Sequence, residues 1–520
     1  MVDADSSAPA GISWRAPATI AAVVVMLFGV VVRLLGQTTL ELWADEADWA
    51  IRAVSGTDTF IRPVGTMWLT RVLVGLHNSE VMLRLPSLLA GIAHLPVLWL
   101  VLRRLVRGDV AVLGTLALAV HPVAVAMTKE FKPYALEACL HTLLLLLTLR
   151  LLEAPSRARS VVIGALAAVS PLLSWSIVFA YPGTFLAGLI TSWRARRFGD
   201  AVVLAIGAVV TLVVLALLFM ARVQSEDRKA DYWGAKYGVF FTGDGVVNHV
   251  VWIVNKTAGL AMQPGRLDIT SSSFAPVLQG ASVVLVVLGV LTLVRRRAWW
   301  ILVLLTLPLL TTLVFNVARQ WPWGVFRTNF YLLPAMILIA TIGVDGLLTA
   351  LSRMHHRARP AVVVVMAIVA LACVPHWLTL LARKNGHNQT GQASVHRAMG
   401  LLREIETATP TTATPTMTAT TKPVLLLDGH ACGLFRYYRD HHAAAMAEHR
   451  AWFIEHIDER CGTVGNGWFP VVDSMKGRDF WVMVVQRKHE AKTVRRLRGE
   501  CVVDHERKLP GMTLLHCKAR

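Results

Sequence analysis

From residue 17 to about residue 382 the chain alternates long apolar runs with short clusters of charge. The runs at 17–36, 80–102, 109–127, 133–152, 200–221, 276–294, 299–317, 328–350 and 360–382 approach the ~20 residues a helix needs to cross a bilayer. Residues 160–191 are also apolar, but Pro171 and Ser174 interrupt them. This predicts two short spans, out and back, of roughly 14–17 residues each, tilted or entering part-way. The pattern therefore gives a bundle of about eleven transmembrane helices. From residue 383 the pattern changes. Residues 407–423 are low-complexity Thr/Pro/Ala and read as an extended segment. VLLLDG (424–429) and FWVMVVQ (480–486) read as strands, 488–500 as a helix ended by Gly499, and 500–504 and 512–517 as short strands. The expected organisation is a multispan membrane domain over 1–382 and a small α/β domain over 383–520.

Charge orients this arrangement. Arginines cluster at Arg103, Arg104 and Arg107, at Arg150, Arg157 and Arg159, at Arg194, Arg196 and Arg197, at Arg295–Arg297 and at Arg353–Arg359. These fall at alternate ends of successive runs, which is the layout of cytoplasmic loops. The N-terminus is then cytoplasmic, the first run an uncleaved helix leading outward, and the C-terminal domain extracytoplasmic, on a multi-pass protein of the cytoplasmic membrane. Residues 37–79 and 222–275 become outer loops. Composition agrees: 55% of residues are hydrophobic, mean hydropathy is +0.53, and only 16% are charged, against roughly 25% in soluble chains. The net charge of +19 does not imply nucleic acid, because the cations sit between apolar spans. Membrane lipids are the expected surroundings.

The outer loops carry the candidate chemistry. ELWADEADWA (41–50) places Asp45, Glu46 and Asp48 just beyond the first span. Trp43, Trp49 and Trp68 suit short helices at the interface. Arg62, Lys129 and Lys132 lie on the same outer face, and Glu137 is an ionisable residue within a span, which is costly and points to function. Carboxylates supply a general base and cations stabilise a phosphate leaving group. The bland readings are an N-cap or solvated loop for the acids and snorkelling or anchoring for Arg62 and the lysines. Asp48 reads as local structure. The loop QWPWGVFR (320–327) reads as part of an aromatic belt, and His430, His441 and His442 as surface residues without metal-ligand spacing. Cys139 and Cys373 read as small buried hydrophobes. Cys432, Cys461, Cys501 and Cys517 lie in the polar tail without a CxxC pair, so no metal site is assigned. They are disulfide candidates, Cys432–Cys461 and Cys501–Cys517 by proximity alone.

ELWADEADWA through IRPVGTMWL, then SEVMLRLPSLLAGI (79–92), AVHPVAVAMTKEFKPYALEACLHTLLLLL (119–147) and VFRTNFYLLPAM (325–336), resemble the dolichyl-phosphate-mannose–protein mannosyltransferase superfamily. Its bacterial members include aminoarabinose transferases to lipid A. The resemblance implies a GT-C fold glycosyltransferase that moves a sugar from a polyprenyl-phosphate donor to a glycan, lipid or protein acceptor, commonly by inverting displacement. It implies Asp45 as the catalytic base, with Glu46 beside it in the catalytic site as a positioning or metal-assisting group. It also implies Arg62, Lys129, Lys132, Glu137 and Arg327 as substrate-binding residues. Two positions depart from the pattern. Pro63 is followed by Val64 rather than a second proline, and Ile61 stands where some relatives hold an acidic metal ligand. A divalent cation therefore has no ligand at that place, though a cation elsewhere stays open. Two other classes remain: a transporter or flippase of lipid-linked glycans, and a membrane-anchored glycan-binding protein. Transport needs ionisable groups deep in several helices, whereas these cluster at the ends.

Overall fold

A computed structural model of the chain describes residues 17–37, 42, 44–55, 62–77, 79–223, 240, 245–265, 275–324, 327–354, 424–427, 458–461, 479–485, 497–499, 501–509 and 512–519. The expected span at 360–382 with its Cys373, the low-complexity segment, the three tail histidines and Cys432 lie outside them. The described helices are α1 (Pro17–Leu34), α2 (Ala44–Ser55), α3 (Val64–Leu76), α4 (Glu80–Leu105), α5 (Gly108–Val120), α6 (Pro122–Thr128) and α7 (Tyr134–Glu153). They continue with α8 (Arg157–Leu173), α9 (Tyr181–Arg194), α10 (Phe198–Val223), α11 (Val246–Ala261), α12 (Ala275–Arg295), α13 (Trp299–Val317) and α14 (Leu333–Met354).

Eight of the described helical segments are long and apolar enough to cross a membrane, or nine if α5 and α6 form one span bent by 56°. The break between α8 and the 3₁₀ turn Ser176–Ala180 falls at the Pro171–Ser174 interruption, and α8 is short at 17 residues. The segment 37–79 contains α2 and α3, and the segment 222–275 contains α11.

The chain divides into two units. The first comprises Met1–Leu35, Thr59–Thr66 and Pro86–Ala382; the second comprises Gly36–Asp58, Met67–Leu85 and Arg383–Arg520. In the first unit the spans pack around Leu98, Leu102, Leu118, Ile337 and Ile342, all buried. Lipid-facing flanks are apolar too: α10 exposes Val202, Ile206, Val209 and Leu212. With both faces apolar, close packing rather than water exclusion decides which surfaces meet. Glycines make that approach. A Cβ on Gly207 of α10 would lie 2.7 Å from the Cα of Gly164 on α8. A Cβ on Gly289 of α12 would lie 1.9 Å from the carbonyl oxygen of Ile339 on α14.

In the second unit β1 (Val424–Leu427), β2 (Asp458–Cys461), β3 (Asp479–Val485), β4 (Cys501–Leu509) and β5 (Met512–Ala519) form one sheet in the order β2-β1-β3-β5-β4. β1 pairs in parallel with β2 and β3, whereas β5 is antiparallel to β3 and β4. Phe480, Val482 and Leu515 fill one buried face. The expected Cys501–Cys517 bridge is not formed: both sulfurs remain thiols. Register explains this. Cys501 pairs with Ala519, and Cys517 with Val503, so the two cysteines are diagonal neighbours rather than a directly opposed pair. Their contact pushes the Cys517 thiol well above its ordinary value.

Candidate active site

In the second unit the acidic stretch forms the first turn of α2. Ala47, Ala50 and Ala53 recur on one face and are fully buried. Small side chains let that face pack closely, and Glu46 goes in with them. A buried carboxylate requires a partner. Arg84 supplies it: Nε lies 3.2 Å from Oε1 of Glu46 and Nη2 lies 3.0 Å from Oε2. Both side chains are 1% exposed, a two-pronged pair of the kind guanidinium favours. Ser79 caps α4 by accepting from the Met82 N–H, which sets Arg84 in the helix's second turn. At the other end of α2, Arg71 on α3 donates to the Ala53 carbonyl at 2.6 Å. The helix is thus held from both ends. Asp45 lies in the backbone of that first turn, next to Glu46. Asp48 pairs with Arg52 one turn on, at 3.2 Å and partly exposed, which is local structure as its position suggested.

Arg84 is the residue sequence reasoning passed over. It belongs to RLPS, quoted for the resemblance, and it is an arginine near the start of an apolar span. The cost of such a position was the available signal.

In the first unit the turn between α6 and α7 gathers Lys129, Glu130 and Lys132. Lys129 is the C-cap of α6, and its Nζ donates to the Leu35 carbonyl at 2.6 Å. Burial, and then the positive charge of Arg33, lower the Lys129 ammonium to about 8. Lys132 is buried, and its carbonyl accepts from the Ser87 hydroxyl at 2.6 Å. Glu130 meets Arg327 at 3.4 Å, and the Arg327 guanidinium also lies over the Tyr134 ring, 5.6 Å from its centre. Arg327 and the Lys129–Lys132 turn, 197 residues apart at the Glu130 contact, are therefore brought together.

The break after α8 collects two more. Thr66 donates to the Leu173 carbonyl at 2.7 Å, and a Cβ on Gly65 would lie 2.9 Å from that of Leu172. The buried Arg62 heads the segment fastened there. Ser174 and Ser176 from the same break hydrogen-bond the buried Glu137 carboxyl. His141, one turn on, bonds the Ser176 carbonyl at 3.0 Å and stacks on Tyr331 at 4.6 Å. Arg62 and Glu137 thus share one anchoring element, which their spacing in the sequence does not reveal. Trp323 corrects the aromatic-belt expectation for 320–327: it is buried with Phe179, Leu260, Tyr331 and Leu332. Among the described residues, no three His, Cys, Asp or Glu side chains are grouped to hold a metal.

Residues 61–222 match the family described as dolichyl-phosphate-mannose-protein mannosyltransferase. No curated protein matches the chain. Among solved structures, ArnT from Cupriavidus metallidurans bound to undecaprenyl phosphate is similar at 15% identity and a TM-score of 0.47, covering 96% of this chain and 98% of that one. The same enzyme in the apo state gives 15% identity and a TM-score of 0.42 over the same coverage. The Archaeoglobus fulgidus oligosaccharyltransferase in the apo form gives 14% identity and a TM-score of 0.43, covering 81% of this chain and 64% of that one.

Proposed function

We propose that the protein is a membrane glycosyltransferase. It transfers a sugar from a polyprenyl-phosphate donor to an acceptor at the outer face of the cytoplasmic membrane. Asp45 takes the proton of the acceptor group as that group attacks the anomeric carbon. The bond from that carbon to the phosphate oxygen breaks, and polyprenyl phosphate leaves with the electron pair. Attack opposite the leaving group inverts the anomeric centre.

The observation that carries this reading is the buried two-pronged Glu46–Arg84 pair, which fixes the turn bearing Asp45. A base must be held within hydrogen-bond reach of one proton, and a pinned helix turn does this better than a free loop. Glu46 then acts by positioning, because Arg84 engages both of its oxygens. The cations of the first unit, Lys129, Lys132 and Arg327 with Arg62, offer charge of the sign a departing phosphate needs. The family match over 61–222 covers these residues apart from Arg327.

The test compares envelope glycans by mass spectrometry in cells with the gene, without it, and with Asp45→Asn. The glycan change lost on deletion should stay lost with Asp45→Asn, although the variant inserts and melts as wild type does. An Asp45→Asn protein that restores the glycan fully would remove Asp45 as the base. A deletion without glycan change, but with accumulated lipid-linked glycan on one leaflet, would favour a flippase.

A further inference from the structure

Arg33 lies within the apolar helix α1 and is 1% exposed. Its Nη1 donates to the carbonyls of Gly29 and Ala119 at 3.0 Å each, and its Nη2 to that of Leu118 at 3.1 Å. Leu118 and Ala119 belong to the last turn of α5, whose carbonyls have no helical donors. The sequence states why. In a continuous helix, the N–H of residue 122 would bond the carbonyl of Leu118, but residue 122 is proline and has none. The span bends by 56° at this point. A guanidinium with forked donors replaces the missing bond and faces the negative end of the α5 dipole. Gly29 leaves part of the room for it: a Cβ there would lie 3.3 Å from Nη1.

The exchange is reciprocal. α6 continues from the bend for only seven residues and ends at Lys129. The Lys129 ammonium returns to α1 and donates to the carbonyl of Leu35, just past the α1 end. Each helix end is thus capped by a cation from the other segment. His121 at the bend adds a third tie, from Nε2 to the Gln263 carbonyl at 2.8 Å, while its Nδ1 accepts from the Ala124 N–H.

We infer that Arg33 is a positioning residue: it splints the broken α5–α6 span and thereby presents Lys129, at the end of that span, to the donor's phosphate. The second half of this inference rests on the phosphate role given to Lys129 above; the first half does not. Arg33 itself stays buried on backbone carbonyls and adds its charge to the field at Lys129 without touching the lipid.

The experiment uses the full chain in detergent micelles, with hydrogen–deuterium exchange followed by mass spectrometry. Arg33→Met should speed exchange across 121–132 by at least about tenfold, since charge-assisted bonds to two carbonyls are lost. Exchange in α7 should stay as in wild type. Arg33→Lys should restore part of the protection. Pro122→Ala supplies the missing N–H, so adding it to Arg33→Met should slow exchange again. Should Arg33→Met alone fold poorly, a second comparison decides, between Pro122→Ala and the double variant that combines Pro122→Ala with Arg33→Met. Equal protection of 121–132 in these two supports the splint, and a gap of about tenfold between them overturns it. Unchanged exchange in Arg33→Met also overturns it. A second arm measures binding of undecaprenyl phosphate. Arg33→Met should weaken it and raise the donor KM with kcat at saturating donor retained. If wild type ignores undecaprenyl phosphate, the phosphate reading of Lys129 fails, whereas the exchange data still judge the splint. If wild type binds and Arg33→Met binds equally, the splint does not serve the phosphate site.

Discussion

Breaking the Glu46–Arg84 pair should loosen α2 and slow transfer without weakening the donor. The two side chains are 1% exposed and make two contacts of 3.0 and 3.2 Å. Removing one member of a buried pair costs about 3–5 kcal/mol, because the other charge stays in a low-dielectric site. Arg84→Met and Glu46→Gln should therefore each destabilise α2 by roughly that amount, with less for Glu46→Gln because the amide keeps the shape. The double variant should cost no more than the worse single, giving a coupling of about 2 kcal/mol or more. Arg84→Lys should recover only part, since an ammonium cannot span both oxygens. Hydrogen exchange of the 44–55 amides in detergent gives the opening free energies for the cycle. Transfer assays on the same samples should show kcat falling while the donor KM holds. Additive single effects, within about 0.5 kcal/mol, would refute the claim that this pair fixes the turn carrying Asp45.

Two more expectations follow from the geometry. Lys129 is lowered to about 8 by burial and then by Arg33, from an ordinary value of 10.5. Polyprenyl phosphate affinity should therefore fall as pH rises through about 8, and Lys129→Arg should flatten that limb; a flat profile in wild type would exclude Lys129 as the phosphate's cation. For stability the sign is opposite. Between about 8 and 10.5 the unfolded chain holds this proton and the folded chain does not, so the penalty is full at lower pH and is relieved as pH rises through that window. Gly289→Ala would place a Cβ 1.9 Å from the Ile339 carbonyl, whereas Gly280 on the same helix has nothing within 4 Å. Gly289→Ala should lower the melting midpoint by the equivalent of about 1–3 kcal/mol, with Gly280→Ala near wild type; equal melting of the two would mean that α12 and α14 are not packed this closely.

The apolar runs, the basic clusters and the turn residues were legible in the sequence because each is a local property. A run of 18 to 26 apolar residues closes its own backbone hydrogen bonds wherever it is placed. Pro171 removes a donor whatever surrounds it. VLLLDG (424–429) and FWVMVVQ (480–486) likewise stood out as apolar runs, and strands form at Val424–Leu427 and Asp479–Val485. The acidic cluster and the lysine turn could be found as types of residue in loops between apolar runs, and the resemblance ranked Asp45 above Asp48.

Pairing was not legible. That Glu46 goes to Arg84 and Glu130 to Arg327, that Arg33 caps α5 instead of reaching for headgroups, and that Trp323 packs inside all depend on contacts between distant segments. Periodicity has no reach over 38 or 197 residues. Burial of one charged group dictates only that it must find a partner; which partner it finds is decided when the helices pack.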